Sequence, residues 1–415
     1  MSKIVKMAWR NMWRNWRRTL IASVAIILGM ILLIFMDALI KGSDQAIYGN
    51  AVRMYGGNVQ VHAPGYREKA DRLPLLPLAD AETVVATIQS IDSPEKILAT
   101  AKRINTGGMV STGAGTYPVT ITAIEPEKEA PVSLFAENIS DGRFLTSEDG
   151  DAIVIGQNLA DLLEVGVGDR VMLVGRRLNE SMRQRTMTVV GIYSLGMDSA
   201  ERSTVFINLP TAQTLYNLRQ QETEVVVSLE KVGQEDVLIE DLQAKLPDYE
   251  VDSWDTLSPE IQQAIQSKSM ATSILGMLVV LIASIGILNL MLMAVYERTR
   301  EMGVLAALGM KGRQITTLFL LEGTFIGVFG AVVGVIAGGL LVAAVAQVGI
   351  DISGISDAGG GAEVYALMGT RMYPAFSLTT SLVYAFLVMV ISAAASFFPA
   401  WQASRQEPAE ALHHI

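Results

Sequence analysis

The sequence predicts a membrane α-helical protein of four spans, with a large extracytoplasmic α+β domain of two subdomains inserted between the first and second spans. Three observations carry this expectation. Four runs, about 20–40, 271–296, 316–347 and 377–399, reach the roughly 20 apolar residues that cross a hydrocarbon core of about 30 Å. The stretch 41–268 between the first two is polar and mixes strand-like with helix-like patterns. Lys and Arg crowd the N-terminus and the loop between the second and third spans, ends that an even number of crossings brings to one side. The composition agrees: 415 residues, 50% hydrophobic and 18% charged, with a mean hydropathy of +0.36.

Residues 1–18, "MSKIVKMAWRNMWRNWRR", place Lys3, Lys6, Arg10, Arg14 and Arg17 at helical spacing on one face, and Val5, Trp9, Met12 and Trp16 on another. This is the pattern of an interfacial helix with indoles at headgroup depth, and equally of a plain positive-inside anchor. The first span, 19–40, follows. Its apolar run exceeds the 7–15 residues of a cleaved signal, so it is expected to remain as a span. With no acid among the first 18 residues the N-terminus is expected inside, which returns 297–315 and 400–415 to the inside and puts 41–268 outside. That outer stretch holds 20 Lys/Arg against 33 Asp/Glu, a net of −13, which gives no support to nucleic-acid binding.

Within 41–268, strands are expected at 58–63, 117–124, 152–156, 170–175, 187–195, 203–209 and 224–230, and helices at 80–91, 158–165, 211–218 and 234–246. The strand-rich block 131–222 reads as a subdomain inserted into an outer block of mixed elements. The chain has no cysteine, so the domain must rely on its core rather than on disulfides.

The second span is expected at 269–296, the third at 316–347 and the fourth at 377–399, with an outer loop at 348–376. In the third, Gly323, Gly327, Ala331, Gly334 and Gly338 recur every three or four residues, with Gly330 opening a second series. Small residues let helices approach closely in lipid, so this face is expected to contact another helix. Glu322 is the ionisable residue most clearly inside a span, with a structural role favoured over proton coupling. Asp37, near the outer end of its span, is expected to be wet. The loop 297–315 reads as a short helix with Glu301, Leu305 and Leu308 on one side, a Glu297–Arg300 pair at i,i+3, and Gly309 and Gly312 to end it. Docking in a partner's groove and a solvated interfacial loop are both open readings of this pattern.

No catalytic, cofactor or metal site is expected. The chain has no G-x-x-x-x-G-K-[ST] phosphate loop; "GMKGRQIT" has the wrong spacing. His62 is the one histidine of the outer domain, and the tail pair His413 and His414 leaves most of a metal site unfilled.

The loop "ERTREMGVLAALGMKGRQI", the ending "FPAWQASRQEPAEAL" and the outer stretches "AIVIGQNLADLLEVGVGDRVML" and "TVVGIYSLGMDSAERSTVFINLPTAQTLYNL" resemble the ABC-transporter permeases of the lipoprotein-releasing, MacB and FtsX type. The resemblance runs through essentially the whole chain, in order. It implies a non-catalytic permease of the bacterial inner membrane, with N- and C-termini cytoplasmic. Its expected partners are ABC ATPase subunits carrying ATP and Mg, a second copy or a related permease, membrane lipids, lipoproteins and a periplasmic carrier. By the same resemblance Glu297, Arg298, Arg300, Glu301, Met302, Leu305, Leu308 and Gly309 form the ATPase-coupling helix. A cargo cavity is expected between the first two spans, near Leu32, Leu33, Met36 and Leu39 on one and Met270, Ile274, Met277 and Leu278 on the other. The layout favours lipoprotein release, since MacB-like members carry an N-terminal ATPase and none stands before Met1. The alternatives are an FtsX-like transducer that activates a periplasmic or cell-wall enzyme, and a MacB-like efflux permease.

Overall fold

The computed structural model describes residues 3–14, 16–91, 96–179, 181–230, 233, 235–257, 259–296, 299–352 and 366–403. It forms two compact units, one of Met1–Asp44, Ser267–Asp351 and Arg371–Ile415, the other of Gln45–Gln266 and Ile352–Thr370. Helix α1 (Lys3–Arg14) is followed by α2 (Trp16–Tyr55), a single helix of 40 residues. The expected end of the first span at residue 40 is therefore not the end of its helix. The stretch after it contains no proline, and it buries Ile47, Ala51 and Val52 along one stripe. Gly56 (φ 96°) and Gly57 (φ 112°) stop it, and both their amides donate to the Val52 carbonyl.

The second unit is α+β. In chain order it holds β1 (Val59–His62), α3 (Ala81–Gln89), β2 (Ile97–Ser111), β3 (Thr116–Ile124), β4 (Ile139–Gly142), β5 (Ala152–Gly156) and α4 (Gln157–Leu163). There follow β6 (Arg170–Arg176), β7 (Met182–Tyr193), β8 (Thr204–Asn208), α5 (Leu209–Tyr216), β9 (Glu224–Leu229), α6 (Glu235–Lys245) and β10 (Glu250–Ser253). Strands β10, β1, β9 and the first half of β2 make an antiparallel layer. Helices α3 and α6 cover it, with Val84, Ile88, Leu238 and Leu242 packed on Val59, Val61, Val225 and Val227. Asp80 caps α3 by accepting the Thr83 amide at 3.0 Å.

The second half of β2 belongs to a different structure. It pairs with β3 on one edge and, through Gly108–Ser111, with β6 on the other. Strand β3 pairs with β8, β8 with β5, β5 with β7 and β7 with β6, so six strands close on themselves, and β4 adds to β7. Ile104, Val110, Ile121, Ile153, Leu173, Val189, Val205 and Ile207 lie in the core of this small barrel. A Cβ at Gly108 would meet Ile121 Cδ1 at 2.3 Å and the Val174 carbonyl at 2.7 Å, so only glycine lets β2 pass from layer to barrel. The barrel core thus takes residues before 131, where the sequence placed the start of the inserted block, because one long strand serves both substructures.

The remaining elements are α7 (Pro259–Tyr296), α8 (Thr299–Ala307), α9 (Gly312–Val348), the paired strands β11 (Ile350–Asp351) and β12 (Arg371–Met372), and α10 (Leu378–Ala403). Among the described residues, three helical stretches are long and apolar enough to cross a membrane: Thr19–Met54, Gly312–Val348 and Leu378–Phe397. The expected second span, in α7, is not one of those three; α7 is a continuous 38-residue helix. The expected outer loop 348–376 is split between the units, since Ile352 and 366–370 go with the α+β unit, where Asn50 Nδ2 donates to the Leu367 carbonyl at 2.8 Å.

Helix α9 uses its glycines on two faces. Cβ atoms at Gly323 and Gly327 would sit 2.6 and 2.7 Å from the Cβ atoms of Ser396 and Ser392 on α10. Those at Gly330, Gly334 and Gly338 would sit 2.8, 2.5 and 3.2 Å from the Cβ atoms of Ile26, Met30 and Ile34 on α2. Ala331 is buried in the same cluster. Backbone approach this close replaces the hydrophobic drive that lipid cannot supply between helices.

Candidate functional site

The sequence-expected coupling residues fall on and around α8. Glu297 and Arg298 lie outside the described residues, as does the tail from 404 with His413 and His414; Arg300 and Met302 lie on α8, but their side chains are likewise outside the description. The helix ends in a defined turn. Gly309, at φ 90°, donates to the Ala306 carbonyl at 3.0 Å, and Met310 donates to the Leu305 carbonyl at 3.1 Å. This crossed pair satisfies two terminal carbonyls and brings residues 305 and 310 together, an arrangement open to glycine because of the left-handed backbone. Leu305, Ala306 and Met310 then pack on Ile315 and Phe319 of α9 and Ala400 of α10. Lys311 starts α9, its amide bonded to the Gln314 Oε1 at 3.0 Å.

Leu305 does not share a free face with Glu301 and Leu308; it is the anchor that holds α8 on α9. The outward face carries Glu301, Val304 and Leu308, the last 77% exposed. Val304 escaped the sequence reading because its spacing from Leu308 reads equally well as the buried stripe.

The residues expected to line a cargo cavity are divided. Leu33 is buried among Ile26, Met30 and Ile34 against α9 and α10, so it belongs to the helix core. Leu32 is exposed, and Met36 and Leu39 are half-buried. On α7, Met270, Ile274, Met277 and Leu278 are all exposed, Met277 at 72%. Glu322 is buried in α9. Asp37 is partly exposed and also partnered: its carboxylate pairs with Lys41 at 3.0 Å and accepts from the Tyr384 hydroxyl at 3.3 Å, while Lys41 also donates to Thr380. One turn on, Lys268 of α7 binds Asp44 and, at 2.7 Å, Ser43. These contacts tie α2 to α10 and to α7 with charges that apolar surroundings strengthen.

The α+β unit contains a buried ionic chain that the sequence reading missed. His62 Nε2 meets Glu224 Oε2 at 3.2 Å, and the Tyr66 ring stacks on the imidazole at 3.7 Å. Glu224 lies 4.0 Å from Arg103, whose guanidinium grips Glu129 through Nε at 2.9 Å and through a second, shorter bond. Burial opposes the Arg103 charge, yet Glu129 and Glu224 together raise its pKa above the ordinary value. Burial, then the Glu224 charge, pushes the Tyr66 phenol up. A cavity of about 290 Å³ adjoins this chain, with Arg53, Gln60, Tyr66, Arg103 and Glu129 on its walls. A side chain at Gly56 would overlap Arg103 Nη1, so the glycine that stops α2 also makes room for the guanidinium. Arg53, in the last turn of α2, pairs with Glu137 at 2.6 Å and donates to the Val132 carbonyl at 3.2 Å. Among the described residues no group of three or more His, Cys, Asp or Glu is placed to hold a metal ion.

The order of a long helix, a layer-and-barrel domain and a helical C-terminal part is also the order of two family models. The MacB-like periplasmic core domain matches residues 19–245, more than half of the chain, and the FtsX-like permease C-terminal matches 273–408. The chain belongs to the MacB/FtsX family of ABC-transporter permeases. This permease is 26% identical to the macrolide export ATP-binding/permease protein MacB of Hyphomonas neptunium over 98% of its own length, and spans 60% of that relative. It is 24% identical to the lipoprotein-releasing system transmembrane protein LolC of Xylella fastidiosa, over 94% of this permease and 92% of LolC. The periplasmic region of MacB from Actinobacillus actinomycetemcomitans superposes on 52% of the permease and 98% of that structure at 15% identity and a TM-score of 0.35. The family models, not this superposition, carry the assignment.

Proposed function

We propose that the permease couples ATP hydrolysis by a partner ATPase to movement of its α+β domain, and that the cargo is a lipoprotein or other hydrophobic molecule in the outer leaflet of the inner membrane. In this reading α7 supplies the second span, at 269–296, the α+β domain is extracytoplasmic, and both termini are cytoplasmic. ATP and Mg belong to the partner, and a second copy or a related permease completes the assembly over two ATPases. The alignment with LolC over nearly the full length of both chains supports lipoprotein cargo.

The observation that carries the coupling role is the mounting of α8. A nine-residue helix is clamped by Leu305 and Met310 on α9 and presents Glu301, Val304 and Leu308 outward. A lone exposed leucine needs no explanation, but one on a rigidly capped helix beside a charge has the form of an interface anchor with a polar rim. Leu308→Asp and Glu301→Arg are the direct test, because both positions are exposed and their exchange leaves the fold intact. Both variants are expected to insert normally and to lose about tenfold or more in ATPase co-purification, the size of a 1.4 kcal/mol interface loss. Unchanged co-purification and unchanged transport in both would remove α8 from the ATPase contact.

A further inference from the structure

We propose that the cleft between α1, α2 and α9 is a binding site for one anionic glycerophospholipid, its acyl chain in the cleft and its phosphate on Arg17. The cleft holds about 340 Å³ and is walled by Trp13, Trp16, Val24, Ile27, Phe329 and Val333. Its volume and apolar lining suit a hydrocarbon chain, and Trp13 and Trp16, exposed at 59% and 57%, stand at one end as indoles do at the membrane interface.

Two further observations specify the ligand. The Arg17 guanidinium lies 5.7 Å over the ring of Trp16, itself a wall of the cleft, so a cation is held beside that wall. Inside, Ser23 lines the same cleft; its hydroxyl is buried, the residue being only 3% exposed, and has no hydrogen-bond partner. Ser392 on α10 is likewise buried without a partner, whereas three other helical serines settle that demand with a carbonyl of the preceding turn. Ser273, Ser381 and Ser396 each donate to the carbonyl four residues back, at 2.8 to 2.9 Å. A buried hydroxyl left unbonded costs about 1–3 kcal/mol, and Ser23 is one of the residues that wall the cleft. Residues 17 and 23 are separated by about 9 Å of helix rise. A molecule that fits carries an anion, then an uncharged acceptor, then hydrocarbon, in that order; a glycerophospholipid offers phosphate, ester carbonyl and acyl chain. A helix from a second copy would fill the space but keeps its carbonyls in its own ladder and brings no anion to Arg17.

The inference needs α2 and α9 to lie in a membrane and is independent of cargo and of coupling. The test uses the full-length permease in detergent, examined by native mass spectrometry with dioleoylphosphatidylglycerol, dioleoylphosphatidylethanolamine and dioleoylglycerol as separate probes. One phosphatidylglycerol is expected to stay bound in preference to the other two. Arg17→Gln should lower its retention about tenfold, to the phosphatidylethanolamine level, by removing a charge-assisted contact. Ser23→Ala should weaken all three probes, and Val24→Trp, which fills the cleft from an exposed position, should abolish retention, with the lipid-free melting midpoint unchanged in each variant. Equal phosphatidylglycerol retention by the wild type and Val24→Trp overturns the site. So does spontaneous disulfide dimerisation of Val24→Cys, whose thiol is the only one in a cysteine-free chain, because a second copy then occupies the cleft.

Discussion

Two residue pairs in the α+β unit set its response to mutation and to acid. Arg103 and Glu129 are a buried ion pair, and removing Glu129 leaves the guanidinium buried with only the more distant Glu224, at 4.0 Å, among the acids that stabilise it. Glu129→Gln is therefore expected to cost about 3–5 kcal/mol, read as a lowered urea midpoint for the domain in the full chain. A midpoint shift typical of surface substitutions would show that water reaches the pair. Asp149 is held well below the usual carboxylate range, first by its two bonds to Arg143, against burial, and then by the Thr146 amide and hydroxyl. Its folded pKa is depressed, so its contribution is complete above the unfolded value of about 3.9 and is lost as pH falls toward the folded one. The melting-temperature gap between wild type and Asp149→Asn should be constant above about pH 5 and shrink below about pH 4. A gap independent of pH would remove Asp149 from the acid response. None of these pairs was legible in the sequence, because Arg103 meets Glu129 and Glu224 only once β2, β9 and the turn at 126–129 are folded together, and a lone His62 gives no hint of Glu224 directly across the ladder.

At the scale of elements, the sequence was most informative where one period dominated. The apolar runs of α2, α9 and α10, the short apolar strands β5 and β8, the alternating strand β6 and the glycine series of α9 are each a local pattern with one structural solution. Strand β2 was missed for the opposite reason: "ILATAKRINTGGMVS" mixes Ala, Lys, Arg, Asn and two glycines, and its strand character comes from partners on both edges. The division of labour along α9 was hidden as well, since a single glycine series does not say that Gly323 and Gly327 face α10 while Gly334 and Gly338 face α2. That division gives a prediction. Gly327→Leu should disrupt the α9–α10 contact, where even a Cβ meets Ser392 at 2.7 Å, and Gly334→Leu the α2–α9 contact, where it meets Met30 at 2.5 Å. Both should lower the yield of folded protein, and the small-to-large change costs typically about 1–3 kcal/mol or more when backbone must shift. At Gly29, where an added Cβ meets nothing within 4 Å, the same exchange should be tolerated. Equal yields for all three in a membrane-fraction assay would mean that these notches are not tight.

For the whole molecule, the element that matters is one that a division into span and domain cuts in two. Helix α2 runs unbroken from Trp16 to Tyr55 through the boundary at residues 44 and 45, and its last turn is fixed in the α+β unit by Arg53 and by the glycines beside Arg103. A continuous helix transmits displacement along its axis because each turn is braced by hydrogen bonds, whereas a flexible joint absorbs it. If the permease moves its outer domain through this helix, breaking it at the boundary should separate the two halves of the cycle. Gln45 is exposed, so proline there removes one ladder hydrogen bond and clashes with the preceding turn, at about 3 kcal/mol locally, without opening either core. Gln45→Pro is expected to retain ATPase co-purification and a normal domain melting transition but to lose most ATP-dependent cargo release, while Gln45→Ala behaves as wild type. Full release by the proline variant would show that α2 is not the transmitting element and would shift attention to α7, which Lys268 ties to α2 beside the same boundary.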